Sequence, residues 1–501
     1  MGESATVTDW DMVVVGGGGA GLAAAAEAAS LGRKVVVLEK SSKFGGSTSW
    51  AVGTFTATNS PLQKRAGIQD SADWHFEDLA KQVGALATRD NTKLRRILVD
   101  QCTDALEWLM SLGVVFVGPM PEPPHRVSRM HNVVPNSKSF AYHLARRCRR
   151  LGVEMRTRTR ARALVIEHGR VVAVDCDTKA GKRRFVARRA VVLASGDYSA
   201  DRELKAQFAR PEVVNVEAVN QSATGDGHKL ALALGAKVLN GDIVRGPIMR
   251  FIRPKKDNFW CRLPPSALLA RGMAWSYRVL PQRLLRRFMM GFLTTALAPS
   301  PKLFQEGAIL VNMESRRFTE ELATPGDDVP KQPYKIAFIV FDQRVADKFS
   351  AWPYYISTAP GVSYAYLADY RRSRADIFYR GKTIEQLAES MGVPSGTLEK
   401  SVSAFNASQR GSRPKLGPGP YYGLGPLKSY CVWADGGLAV SERLEVLRAD
   451  GTPIAGLFAG GAVGQGGLLL EGHGHHLGWA FVSGRLAGRN AAQYPPIGGQ
   501  G

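Results

Sequence analysis

The sequence predicts an α/β protein in which both ends of the chain build one open-sheet domain and the middle is inserted as a second, α+β domain. Three observations lead there. The stretch "DMVVVGGGGAGLAAAAEAASLGRKVVVLEK" reads as an apolar strand (Met12 to Val15), a glycine turn, an alanine-rich helix and a second apolar strand (Val35 to Leu38). A strand running into a glycine-rich loop returns near the other end, in "GTPIAGLFAGGAVGQGG". Between them, roughly 243–425, no such signature occurs, and 501 residues suffice for two cores. The expected division is therefore 1–242 and 426–501 for the first domain and 243–425 for the insert.

The first unit is a βαβ motif with Gly16, Gly18 and Gly21 in GxGxxG spacing. Gly16 makes the tight turn, Gly18 lets the backbone approach a pyrophosphate, and Gly21 lets helix and strand pack closely. The unpaired N–H groups at the helix start then face phosphate. Glu39, 18 residues after Gly21, is placed to accept from ribose hydroxyls. "FGGSTSW" follows directly, and its glycine pair and three hydroxyls suit the same dinucleotide. Further along, "RRAVVLASGDYS" is a buried strand breaking at Ser195 and Gly196, and "ATGDGHKLALALGA" is a glycine turn with Asp226 before a helix.

In the insert, "KTIEQLAESMGVPSGTLEKSVSAFN" reads as two helices, with Thr383 and Gln386 as a capping box. "GSRPKLGPGPYYGLGP" is the Pro/Gly-rich return. The segment "EGHGHHLGW" then leads into an amphipathic helix, "LGWAFVSGRLAGRNAAQ". No repeats or low-complexity arrays occur.

Composition narrows the class. The five cysteines are scattered without a CxxC pair, which argues against a disulfide framework or structural zinc and fits a reducing cytoplasm. No run of eighteen apolar residues occurs, and Phe288 to Ala298 is too short to span a bilayer. The N-terminus is polar, without a signal pattern, and Gly2 with Thr6 gives a weak myristoylation match. The net charge of +22 is concentrated: twelve Lys or Arg and one acid, Asp257, lie between Arg245 and Lys302, together with seven aromatic side chains. That mixture suits either a solvated helical lid or an anionic membrane surface, on the cytoplasmic face. No nucleic-acid motif accompanies the charge.

"VVVGGGGAGLAAA", "GGSTSW", "ATGDGHKLALALGA", "GAILVNMESRRFTEE", "TIEQLAESMGVPSGTLEKSVSAFN" and "GLFAGGAVGQGG" with "SGRLAG" together resemble the fumarate reductase and succinate dehydrogenase flavoprotein superfamily. The resemblance implies FAD, a Rossmann-like FAD-binding domain and an inserted capping domain that closes over the flavin. By position it implies FAD contacts from Gly16, Gly18, Ala20, Gly21, Glu39, Lys40, Gly45, Gly46, Ser47, Thr48, Ala161, Ala194, Ser195, Asp226, Gly461, Ala462, His476 and Leu477. Ala462 departs from the family, where many relatives have Glu. Gly46 and Ser47 stand where the succinate dehydrogenase branch carries its flavin-linking His, so non-covalent FAD is expected.

Within the superfamily, the fumarate reductases clamp a dicarboxylate with an Arg where this chain has Glu471, and deliver a proton from an Arg near the place of Pro325. Neither residue can do those jobs. The 3-ketosteroid dehydrogenases and related cyclic-ketone desaturases hold a ketone oxygen with a glycine N–H, matched by Gly474, and a tyrosine, replaced by Leu470. The resemblance to that branch implies removal of an α-proton by a capping-domain tyrosine and hydride transfer from the β-carbon to flavin N5. Tyr334 is the expected base, with Tyr354 and Tyr355 as substitutes, and His473 is the expected second donor to the oxygen. The expected substrate is an apolar cyclic ketone. A single dinucleotide fingerprint points to an electron partner such as a quinone, a carrier protein or oxygen. Two alternatives stand beside this: a reductase of an activated C=C bond, and a flavin-carrying membrane-surface protein. A metal at His473, His475 and His476 is not expected, since neighbours on a helix point about 100° apart.

Overall fold

The computed structural model describes residues 7–254, 262–281, 290, 294, 297–359, 363–408 and 413–498. Gly2, Thr6, Asp257 and Cys261 lie outside them. The first sheet has eight strands. β1 (Val7–Val15) pairs in parallel with β2 (Val35–Leu38) on one side and with Gly181–Leu193 on the other. Glu154–Arg156 extends the sheet beyond β2. Gly181–Leu193 is shared: its first half pairs with Arg170–Thr178 and its last residues with Pro453–Ala459, so the far end of the chain returns to the first sheet. Met12, Val13, Val14, Val36 and Val37 are wholly buried, as expected for parallel strands covered on both faces.

α1 (Gly19–Ser30) packs along the C-terminal helix, His475–Gln493. The approach is set by small residues: a Cβ on Gly484 would meet Ala20 O at 2.4 Å, and one on Gly488 would meet Ala24 O at 2.3 Å. This seam fixes the start of the C-terminal helix beside the glycine loop that follows β1.

The second sheet has six strands with Tyr421–Cys431 as its hub; that strand pairs with Glu217–Ala218, Ile248–Phe251, Ala337–Asp342 and Phe378–Gly381. The hub crosses the expected boundary at 425, and Glu217–Ala218 precedes the expected one at 243. A strand hydrogen-bonded to four others is not divided at a Gly-Pro pair, which is all that marked the boundary in the sequence. A separate core of Phe251, Phe304, Ile339, Phe341, Tyr370 and Leu427 fills this unit.

Two helices appear where expected, Ile384–Met391 and Ser395–Ser408. Their capping box is only half made. Thr383 Oγ1 accepts from Gln386 N at 3.3 Å, while Gln386 Oε1 accepts from Lys382 N rather than from Thr383. Cys102, Cys148, Cys176 and Cys431 are buried free thiols, and burial pushes those of Cys148 and Cys176 up to about 12. Among the described residues no helix is long and apolar enough to cross a membrane.

Candidate active site

The glycine loop is shaped from within by backbone contact. Gly16 sits at φ +107°, and a Cβ on Gly21 would lie 1.9 Å from Gly16 O, so only glycine lets α1 close on β1. Gly18 differs. Its φ of −77° suits any residue, and a Cβ there would meet no protein atom within 4 Å. The protein leaves that space open at the N-cap of α1, where a pyrophosphate needs it. This is the fit expected of a dinucleotide cradle.

Gly45 lies against the loop: its N–H donates to Gly17 O, and Gly46 stands beside Gly18. Thr48 Oγ1 accepts from Gly19 N, and Ala20 is packed on the C-terminal helix. Glu39 is buried and accepts from Gly17 N at 2.9 Å and Ser41 N at 2.7 Å. Each carboxylate oxygen keeps a further lone pair for a ribose hydroxyl. Lys40 reaches Asp226 at 3.1 Å, and Arg160, next to Ala161, reaches the same carboxylate at 3.0 Å. Ser47 accepts from Asn220, Ser195 accepts from Gly227 N, and Ala194 N donates to Val15 O. Gly461 N donates to Ser483 in the C-terminal helix, with Ala462 following in a short 3₁₀ turn. The residues assigned to FAD from the sequence thus surround the ends of β1 and β2 and the starts of two helices.

The lip of this cradle is "EGHGHH". Gly474 is the N-cap of the C-terminal helix, at φ +90°, and a Cβ there would meet Thr56 N at 2.7 Å. No partner for the Gly474 N–H occurs among the described residues. His473 is fixed from both ends. Thr56 Oγ1 donates to its carbonyl at 2.6 Å, and Glu122 accepts its N–H at 2.8 Å and also pairs with its ring Nδ1. Glu122 is 5 % exposed, and its other oxygen is buried without a hydrogen-bond partner among the described residues. Sequence reasoning missed Glu122; the only signal was one acid inside the Pro-rich "MPEPPH".

Opposite stands a second group that the sequence did not reveal. Val244–Arg245 pairs with Trp433–Ala434, setting Arg245 across from Trp433. The Trp433 ring packs on His476 at 4.7 Å between centroids. Arg245 Nε donates to Asp435 at 3.0 Å, and the far end of its guanidinium pairs with Glu471. Burial holds the Glu471 carboxyl above its ordinary range; Arg245 pulls against this and Asp435 adds to it. The residue in the place of an anion clamp is therefore an acid already engaged by a cation. Two residues on from Arg245, a cleft of about 310 Å³ opens, lined by Pro247, Met249, Pro325 and Asp327. Pro325 brings no proton to it.

The tyrosines are placed otherwise than expected. Tyr334 is 79 % exposed and sits in the turn Pro333–Lys335 at φ +57°, not in the apolar strand, which begins at Ala337. Pro333 supplies no N–H for a ladder, and the positive φ of Tyr334 and Lys335 turns the chain away before the strand starts. Tyr355 is half-buried among Trp352 and Tyr364, and Tyr354 packs on Phe349 with Lys348 over its ring. Among the described residues none of the three makes a hydrogen bond or ring contact with His473, Gly474 or Glu122.

The histidines of the quoted segment diverge, His473 to Glu122 and His476 to Trp433. His475 instead joins His75 and His125, and one ring nitrogen from each of the three lies within 4.8 Å of the others. The wiring fixes the protons. His475 Nδ1 donates to Glu471 O, so its Nε2 is the acceptor for His75 Nε2 at 3.1 Å. Arg129 can only donate to His125 Nδ1, which leaves the His125 proton on Nε2. His125 would have to lose that proton to bind a cation through Nε2, with the Arg129 charge beside it. Burial pushes His125 down to about 4 and His475 to about 3, so both rings are neutral near pH 7.

Comparison with known proteins agrees with this geometry. A probable fumarate reductase of Shewanella frigidimarina is 28 % identical over 506 residues, covering 96 % of this chain and 75 % of the relative. A vinyl phenol reductase of Lactiplantibacillus plantarum is 27 % identical and covers 97 % of both chains. Among solved structures, a flavocytochrome c3 fumarate reductase in its open conformation aligns with a TM-score of 0.71 at 26 % identity, covering 97 % of this chain and 78 % of that one. A 3-ketosteroid-Δ4-(5α)-dehydrogenase from Rhodococcus jostii RHA1 aligns with 0.60 at 24 % identity over 97 % of each chain, which shows a shared fold. The expectation that the steroid branch is nearest is corrected to this extent: the relatives named here are reductases. A model of the FAD binding domain matches 11–248 and 253–469, and the chain belongs to that family, as an FAD-dependent oxidoreductase.

Proposed function

We propose that the protein reduces a carbon–carbon double bond conjugated to a carbonyl, in an apolar substrate that is not a C4 dicarboxylate. Desaturation of a cyclic ketone is the reverse of the same chemistry. The observation that carries the reading is the Arg245–Glu471 pair, with Asp435 behind it, at the place where a dicarboxylate would need a free cation. The reductase relatives favour the reductive direction, and the vinyl phenol reductase is by name a reductase whose substrate is not a dicarboxylate.

Held non-covalently by the glycine loop, Glu39 and Gly461, FAD would supply hydride-transfer chemistry in its reduced form. The chain's own residues handle the charge that follows. The Gly474 N–H, at a helix N-terminus, holds the substrate oxygen as it becomes negative, a contribution of roughly 3 kcal/mol to the barrier. His473 keeps Nδ1 on Glu122 and presents Nε2 to the substrate as the proton donor for the α-carbon. This replaces the tyrosine expected from the sequence, since Tyr334 is exposed to solvent. Electrons would reach the flavin from a quinol or a reduced carrier protein.

The test is anaerobic reoxidation of the dithionite-reduced holoenzyme. A cyclic enone should restore the yellow flavin at least about a hundredfold faster than fumarate, because a second carboxylate would face Glu471. Fumarate as the fastest oxidant would overturn the reading.

A further inference from the structure

The helix Ala267–Val279 is amphipathic in the wrong sense for a protein surrounded by water. Its inward side is small, with Ala270 and Ala274 buried where it packs on Val115–Met120 and Met130–Val134. Its outward stripe reads Leu268, Arg271, Trp275, Arg278 and Val279, at the i, i+3, i+7, i+10, i+11 spacing of one helix face. Leu268 is 79 % exposed, Trp275 65 % and Val279 53 %. Arg271 and Arg278 make no ion pair among the described residues, and the helix contains no acid. Elsewhere on the surface, Trp50 is 54 % exposed with Arg253 stacked 4.2 Å from its ring.

We infer that this helix lies flat on an anionic lipid surface, with Leu268, Trp275 and Val279 in the headgroup–acyl boundary and the arginines on phosphates. The chemistry singles out a bilayer over an acidic protein. Aliphatic side chains alternating with guanidinium groups along a single exposed stripe match a surface that is apolar a few ångströms below a layer of negative charge. Tryptophan with its ring between those layers is the usual anchor. The helix spans about 20 Å, long enough to lie in the interface and too short to cross. The inference is independent of the substrate.

The experiment is flotation of the FAD-loaded full chain with vesicles of phosphatidylcholine containing about one third phosphatidylglycerol, and with phosphatidylcholine alone. Binding to the anionic vesicles should be at least about tenfold tighter and should fall steeply with salt. The double variant Leu268→Ser, Trp275→Ser keeps every charge yet should lose about tenfold in affinity. Arg271→Glu, Arg278→Glu should lose more. Both change only exposed side chains, and retained flavin absorbance reports their folding. Equal binding to neutral vesicles would overturn the inference. So would an unaffected apolar variant whose arginine counterpart fails, since that is the response of a site for any acidic macromolecule.

Discussion

Glu122 and His473, 351 positions apart in the chain, are joined twice, through the backbone N–H of the histidine and through its ring. A carboxylate held on Nδ1 fixes the ring's orientation and leaves Nε2 pointing away from it. Glu122→Gln should keep the backbone bond and weaken the ring's charge partner. Turnover should then fall by about ten- to a hundredfold with FAD content unchanged. His473→Ala should lose at least as much, and the double variant should cost little beyond it. Additive losses would mean that the two residues act separately.

Freeing the cation tests the other side of the site. In Glu471→Gln the Arg245 guanidinium keeps Asp435 but loses its second carboxylate. Small carboxylates should then inhibit about tenfold more strongly, competitively with substrate, because a charge-assisted bond becomes available to them. Unchanged inhibition constants would show that Arg245 does not face the substrate.

What the sequence could show of this site follows from distance along the chain. The βαβ unit, its glycines and Glu39 were legible because each constraint acts within a few residues of a turn. The two helices after Lys382 were legible for the same reason. Glu122, Arg245 and Trp433 were not, because each acquires its role only when strands far apart in sequence pair, as Val244–Arg245 does with Trp433–Ala434. Tyr334 lies in a turn for a local reason: Pro333 and two positive φ values delay the apolar strand to Ala337. The hub strand Tyr421–Cys431 was hidden by its own glycines and prolines, which read as a linker.

Two glycine substitutions separate fold from cofactor. A Cβ at position 21 would overlap Gly16 O, so Gly21→Ala must part α1 from β1, and the apo protein should lose several degrees in melting temperature along with FAD. A Cβ at position 18 meets open space, so Gly18→Ala should leave the apo melting temperature unchanged and weaken FAD by at least about tenfold. Flavin titrations on both variants check this. Intact FAD affinity in Gly18→Ala would remove the pyrophosphate from that place.

The buried histidines set the acid limit of stability. Burial pushes His125, His131 and His228 down to about 4 and His475 to about 3, and holds His75 well below its ordinary value. In the unfolded chain each titrates near 6.5. A depressed folded pKa means that the stability is fully present above about pH 6.5 and is lost as pH falls toward the folded values. Near pH 5 the unfolded chain holds protons on these five histidines, and on His143 and His476, which burial also lowers, that the folded chain largely lacks, so the unfolding free energy should fall steeply as pH drops. Carboxylates such as Glu321, which burial alone would raise but Arg317 and Arg413 hold down, act below about pH 4.5, while Glu471 and Asp197, which burial raises, oppose the histidines by binding protons in the folded chain. Urea unfolding at constant excess FAD between pH 4.5 and 7 measures the slope. His228→Gln removes one of these titrating groups and should lower the slope by about one proton, with no change above pH 7.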